Sequence, residues 1–169
     1  RSSTSVDTLA LTYRALRNCE LFRDWPDIAV DRVAEIARLE RYERFTPVLS
    51  DDWQLRELLV VVSGCLEISG LNAIGAKFVL NLFGPGEIVG LIRLLKEAHF
   101  VYHYNAHQDT VLVHLPSDEL RNILDDAPLL WKDVALLALK RQSASIISLR
   151  RLALGHLQPF EPVLRHVEV

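Results

Sequence analysis

The sequence has no excess of positive charge, no long apolar run, almost no cysteine and no methionine. Nineteen Lys and Arg against 22 Asp and Glu leave a formal net charge of −3. Nothing in that balance points to a phosphate backbone as partner, so a groove-reading surface is not expected on this chain. No segment approaches the ~20 consecutive apolar residues that cross a bilayer. The opening Arg1-Ser2-Ser3-Thr4-Ser5 lacks the apolar stretch of a signal peptide. A cytoplasmic protein without a membrane partner is the expectation. Cys19 and Cys65 fit neither a zinc nor a CxxC redox spacing and are too few for a four-thiolate iron–sulfur cluster. They read as small hydrophobes. With no Met and an Arg at position 1, the chain is expected to be cut from a longer one.

What is present suits one domain with an appendage. In 169 residues, half are hydrophobic and 24% charged, enough to bury a core without staples. Leu9, Tyr13 and Leu16, then Leu21 and Phe22, keep helical spacing with a break near Asn18. Pro26 can open a second helix, in which Ile28, Val33, Ile36, Ala37 and Leu39 continue the period to Arg41. The texture changes at Tyr42. Leu58 to Val62 is a continuous apolar run, and Leu66 and Ile68 alternate with polar residues after Ser63-Gly64, which reads as two joined strands. Lys77 to Phe83 alternates again. The Gly84-Pro85-Gly86 turn precedes a short helical candidate, Ile88 to Leu95. Val101 to Asn105 and Thr110 to Leu115 complete a set of short, evenly spaced strands, as in a β-roll or sandwich.

Helices return at Pro116. A brief one follows Ser117-Asp118-Glu119, and Pro128 can open a longer one that runs without Gly or Pro to Leu154 and stops at Gly155. At ~1.5 Å per residue that is about 40 Å, more than the core of so small a domain needs. Val134, Leu137, Arg141, Ala144, Ser148 and Arg151 form one stripe; Ala135, Leu139, Gln142, Ile146, Leu149 and Ala153 form another. Two stripes imply two packing partners: the chain's own barrel and a second copy. A homodimer is expected, with the first stripe as its interface.

Three segments in this order carry a resemblance: Val61-Val62-Ser63-Gly64-Cys65-Leu66-Glu67-Ile68; Leu82-Phe83-Gly84-Pro85-Gly86-Glu87-Ile88-Val89-Gly90; and Ala106-His107-Gln108-Asp109-Thr110-Val111-Leu112-Val113-His114-Leu115-Pro116. With two helices before and a Pro-initiated helix after, the chain resembles the sensor region of Crp/Fnr transcription regulators over about Leu16 to Leu154. The resemblance implies an α+β fold: a cyclic-nucleotide-binding-like β-roll, or jelly-roll barrel, with short N-terminal helices and a long C-terminal dimerisation helix. Residues 1–127 would form the sensor domain and 128–155 the dimerisation helix. Residues 156–169 would begin a linker toward a DNA-binding domain absent from this chain. The partners implied are a second copy and, through that absent domain, DNA and RNA polymerase.

The resemblance also implies a ligand cassette: Gly84, Gly86, Glu87, Ile88, Val89, Gly90, Phe100, Val101 and Ser145. A cyclic phosphodiester is a compact anion, suited to backbone N–H groups plus one guanidinium, and glycines let the backbone approach it. Glu87 would accept from the ribose 2′-hydroxyl, and Ser145 would present a hydroxyl to the base. The family's phosphate-binding Arg, followed by small residues, falls in register at Phe100, with Val101 and Tyr102 after it. Arg93 and Lys96 lie nearby but out of register. Cyclic AMP is therefore disfavoured as the effector, and Phe100 and Tyr102 could plug the pocket themselves. A stand-alone cyclic-nucleotide-binding module and a haem-dependent gas or redox sensor of the same fold are the alternatives. His99, His103 and His107 sit four apart on an expected strand, ~13 Å between neighbours and too far to share an ion. No metal site is expected. No His-x-His, catalytic triad or paired-carboxylate pattern stands out, and no enzyme is expected.

Overall fold

The computed structural model describes residues 2–48, 56–95 and 102–157. By compactness the chain divides into two units, residues 1–130 and 131–169. The first unit opens with helix α1 (Ser2–Asn18) and helix α2 (Asp27–Ile36). Helix α1 ends where the periodicity breaks, and the corner after it is filled by Leu16, Phe22 and Trp25, all essentially buried. Phe22 and Trp25 meet edge to face, 4.8 Å between centroids. Arg17 fastens the corner by pairing with Asp27 and donating to the Trp25 carbonyl.

Pro26 occupies the N-cap of α2, where its missing N–H costs nothing. The expected continuation of this helix to Arg41 is not what forms. Ala37 turns extended, and strand β1 (Arg38–Tyr42) pairs antiparallel with strand β7 (Thr110–Pro116), Arg38 opposite His114 and Tyr42 opposite Thr110. Ladder pairing overrides a local helical period. Ile28, placed on the apolar face by that period, is 75% exposed.

Strand β2 (Glu57–Ser63) pairs with β7 and with the two-residue β5 (Ile88–Val89), giving a four-stranded sheet in the order β1-β7-β2-β5. Strand β3 (Leu66–Leu71) pairs with β4 (Lys77–Phe83) and β6 (His103–Ala106) in a three-stranded sheet, β4-β3-β6. The strands joined at Ser63-Gly64 thus belong to different sheets and are not hairpin partners. Gly64 makes the corner: its φ is +87°, and a Cβ there would fall 2.3 Å from the Asp109 carbonyl oxygen. Only glycine fits that close approach.

Strand β2 is apolar on both faces because both are covered. Leu59, Val61 and, from β7, Leu112 join Leu66, Ile68, Val89, Tyr104 and Ala106 in the core inside the roll. Leu58, Val60, Val113 and Leu115 alternate with them and are fully buried as well, in strands that α1, α2 and the helix after β7 contact. Such two-sided burial explains the unbroken run Leu58 to Val62. The expected helix over Ile88 to Leu95 resolves into β5 and a 3₁₀ segment, Leu91–Leu95. Helix α3 (Ser117–Asp126) follows β7 directly. The fold is the expected α+β roll with antiparallel sheets.

The described part of the second unit is helix α4 (Trp131–Leu157), preceded by a 3₁₀ turn at Pro128–Leu130. It passes through Gly155 instead of ending there, the cost of one helical glycine being only ~1 kcal/mol. No helix among the described residues is long and apolar enough to cross a membrane.

Candidate ligand-binding site

The turn after β4 is held by its own side chains and carbonyls. Gly84 N–H donates to Glu87 Oε2 at 2.6 Å, and Ile88 N–H donates to Glu20 Oε1 at 3.2 Å. Gly86 N–H donates to the Val61 carbonyl and Glu87 N–H to the Gly84 carbonyl. These amides, expected to face an anion, are engaged within the protein. Glu87 turns back on its own loop, and neither it nor Gly84, Gly86, Ile88 or Val89 lines the neighbouring cavity. Among the described cassette residues Gly90 alone does.

That cavity, about 380 Å³, opens between the inner face of the three-stranded sheet and the 3₁₀ segment. Ile68, Leu80 and Phe83 form its apolar sides, with Ile92 across from them. Asn81, Tyr102 and Tyr104 contribute polar atoms, and Arg93 contributes charge. Arg93 is only 5% exposed. Its Nη1 donates to the Glu57 carbonyl at 2.6 Å and its Nη2 to Tyr104 Oη at 2.7 Å. The guanidinium carbon also lies 5.4 Å from the centroid of the Tyr104 ring, within cation–π range. Burial pushes the Tyr104 hydroxyl pKa up, although the neighbouring Arg93 charge pulls the other way.

Two devices hold Arg93 in place. Gly90, at φ +98°, leaves room for it. Arg121 of α3 donates through Nη2 to the Arg93 carbonyl and through Nε to the Leu94 carbonyl, both at 2.8 Å. Helix α3 is thereby tied to the 3₁₀ segment.

Behind Arg93 lies a buried polar chain. The Glu57 carboxylate meets His114 Nδ1 at 2.6 Å, and His114 Nε2 meets Tyr42 Oη at 2.7 Å. Arg38 reaches the other Glu57 oxygen at 3.4 Å. Burial alone would raise the Glu57 pKa, but the His114 hydrogen bond and charge, with Arg38, overturn this and hold the carboxyl below the usual range. Glu57 therefore links two sets of contacts, its carbonyl serving Arg93 and its carboxylate serving His114.

Phe100 and Val101, expected in the cassette, lie outside the described residues, as does the side chain of Ser145 on α4. Tyr102 forms part of the cavity wall and is half-buried. Of the expected interface stripe, Val134 and Leu137 are buried, Arg141 half-buried, and Ala144 and Arg151 exposed. The Ser148 side chain is outside the described residues. His103 is exposed on β6, and His107 Nδ1 lies 3.0 Å from Glu67 Oε2. Among the described residues no three His, Cys, Asp or Glu side chains gather as a metal site. Motif register does not select Arg93, which lies out of register, and a place within a strand gives Tyr104 no evident role. The available signal was a lone Arg in an otherwise apolar run, Leu91-Ile92-Arg93-Leu94-Leu95. A larger groove of about 750 Å³, on the helical side, runs between α1 and α2 past Tyr13, Arg14, Arg17, Asp31 and Glu35.

A family model described as "Cyclic nucleotide-binding domain" matches residues 39–127. Among solved structures, the sensor domain of the transcriptional regulator DNR from Pseudomonas aeruginosa superposes with a TM-score of 0.67 at 15% identity, over 92% of this chain and 97% of that one. The catabolite activator protein of Thermus thermophilus gives 0.66 at 24% identity, over 80% of this chain and 64% of that one. The regulatory subunit of a cAMP-independent protein kinase A from Trypanosoma brucei gives 0.65 at 16% identity, over 83% and 49%. At these identities the likeness is one of fold. The chain spans less than two thirds of the length of the Thermus and Trypanosoma proteins. No curated protein matches the chain.

Proposed function

This chain belongs to the cyclic nucleotide-binding domain family, and from that premise we propose that it is the effector-sensing and dimerising region of a Crp/Fnr-type transcription regulator. The observation that carries the proposal is the sequence of elements: a cassette turn on a β-roll, then a 27-residue helix with exposed large apolar side chains. Leu136 is 54% exposed and Leu139 58%. Such side chains on a helix about 40 Å long suit a second copy of the same helix. The solved sensor domain from Pseudomonas aeruginosa, described as part of a transcriptional regulator, supports the same reading.

In this proposal the chain is a binding module and not an enzyme. Dimerisation runs through α4, and DNA is read by a domain outside this chain, in the cytoplasm. Cyclic AMP is disfavoured as effector. Position 100 is Phe, the amides of Gly84, Gly86, Glu87 and Ile88 are engaged internally, and Arg93, the one cation lining the cavity among the described residues, is already bonded to the Glu57 carbonyl and Tyr104. The Trypanosoma protein, described as cAMP-independent, supports a family member keeping the fold without that ligand.

The test is sedimentation of the chain, together with promoter-DNA binding by the full-length protein with and without cyclic AMP. A dimer that binds DNA equally well in both conditions is the expected result. A strict monomer, or DNA binding that requires cyclic AMP, would overturn the reading.

A further inference from the structure

We infer that the cavity beside Arg93 takes a small organic monocarboxylate with a flat apolar body, its carboxylate meeting the Arg93 guanidinium and the Tyr104 hydroxyl. The inference rests on reading this fold as an effector-sensing module and names the chemical class of the effector. Its first support is a buried charge for which the described residues supply no counter-charge. Arg93 is 5% exposed, yet among the described residues no carboxylate lies within ion-pair distance of it. Buried charges are ordinarily paired. Its two hydrogen bonds, to the Glu57 carbonyl and Tyr104 Oη, use two of the five N–H donors of a guanidinium.

Tyr104 supplies the second support. Its hydroxyl accepts from Arg93, and among the described residues nothing accepts its own hydrogen. A carboxylate could therefore take an O–H donor and N–H donors at one place. The third support is the wall. Ile68, Leu80, Phe83 and Ile92 line a space of about 380 Å³, toward the small end of ligand pockets at roughly 300–1,000 Å³. Among the described residues no other cation and no carboxylate lines it, which suits a ligand of one negative charge.

One guanidinium and one hydroxyl suffice for a carboxylate, whereas phosphate groups are ordinarily held by several free backbone N–H groups. In the turn before the cavity, the N–H groups of Gly84, Gly86, Glu87 and Ile88 are bonded within the protein.

The probe pair is phenylacetate and its neutral isostere phenylacetamide, with thermal unfolding of the chain as readout. Millimolar phenylacetate should raise Tm in a concentration-dependent way, as any ligand selective for the native state does, and phenylacetamide should not. Leu80→Trp fills the cavity from a side chain 47% exposed; it should leave the ligand-free Tm near that of the parent and abolish the shift. Arg93→Lys keeps the charge but loses the planar fork, and should weaken phenylacetate binding roughly tenfold. Equal shifts from both probes, no shift with millimolar phenylacetate, or a shift that survives Leu80→Trp would each overturn the inference. Cyclic AMP binding that Leu80→Trp blocks, without phenylacetate binding, would overturn it too while leaving the sensor reading intact. A monomer in sedimentation would fail the sensor reading alone.

Discussion

The Arg93 guanidinium occupies the space where a side chain at Gly90 would stand: a Cβ built on Gly90 falls 2.2 Å from Arg93 Nη1 and 3.0 Å from its central carbon. The pairing couples a cassette glycine to the charge of the cavity. It also assigns that glycine a task other than approach to a ligand.

Gly90→Ala should therefore lower stability by roughly 2–4 kcal/mol, from strain at a positive φ and from displacement of Arg93. Urea unfolding measures the loss. An alanine variant as stable as the parent would mean that Arg93 has another resting place.

Arg121→Ala should loosen the 3₁₀ segment, since Arg121 supplies two hydrogen bonds to the Arg93 and Leu94 carbonyls. Loss of hydrogen bonds from a charged donor costs about 1.5–3 kcal/mol each at most. Amide exchange should quicken across Leu91–Leu95, with little change in β2. Uniform acceleration over the whole chain would count against a local tether.

The Glu57 carboxyl titrates lower in the folded chain than in the unfolded one, despite burial, because of His114 and Arg38. A depressed carboxylate pKa contributes stability above the unfolded value, ~4.3, and that contribution disappears as pH falls through the folded value. Stability should decline below about pH 4.3 more steeply in the parent than in Glu57→Gln, which lacks the titrating group. Denaturation midpoints measured between neutral and acid pH check the slope. Parallel profiles for the two proteins would contradict the account.

Ala144 lies on the exposed part of α4, on the expected interface stripe. Ala144→Glu would place like charges opposite one another in a symmetric helix pair and bury them without partners. Self-association should weaken by at least roughly tenfold, with helical content unchanged, as sedimentation and circular dichroism would show. An unaltered dimer would move the interface off this stripe.

The roll was legible where local chemistry and burial agree. Gly64, the Gly84-Pro85-Gly86 turn and the alternation of Lys77–Phe83 mark strand ends and strands correctly, because turn chemistry and pleat periodicity are local. Long-range pairing overrides the local signal elsewhere. Residues 38 to 41 carry a helical period but pair with β7. Ser63-Gly64 joins two strands that find different neighbours, a choice set by contacts more than forty residues away, at Asp109 and Thr110.

The candidate site was less legible for a related reason. Register against a motif assigns roles by position along the chain, whereas burial assigns them by position in space. Arg93 is two residues from the end of a 3₁₀ segment, and only the tertiary fold brings its guanidinium beside Tyr104 and the Glu57 carbonyl. Glu87 carries the acceptor chemistry expected of it, but the donor it meets in the folded chain is Gly84 N–H.

By itself the sequence determined the α+β class, the succession of helices, roll and closing helices, and the place of the cassette turn. These depend on apolar periodicity, on glycine at tight corners and on proline at helix starts, all written in neighbouring residues. The tertiary structure alone decided which strands pair, which glycine makes room for a side chain, and which cation enters the cavity. Those outcomes depend on the closure of two sheets around a shared core, where a residue's neighbours come from distant parts of the chain and burial makes each unpaired charge costly.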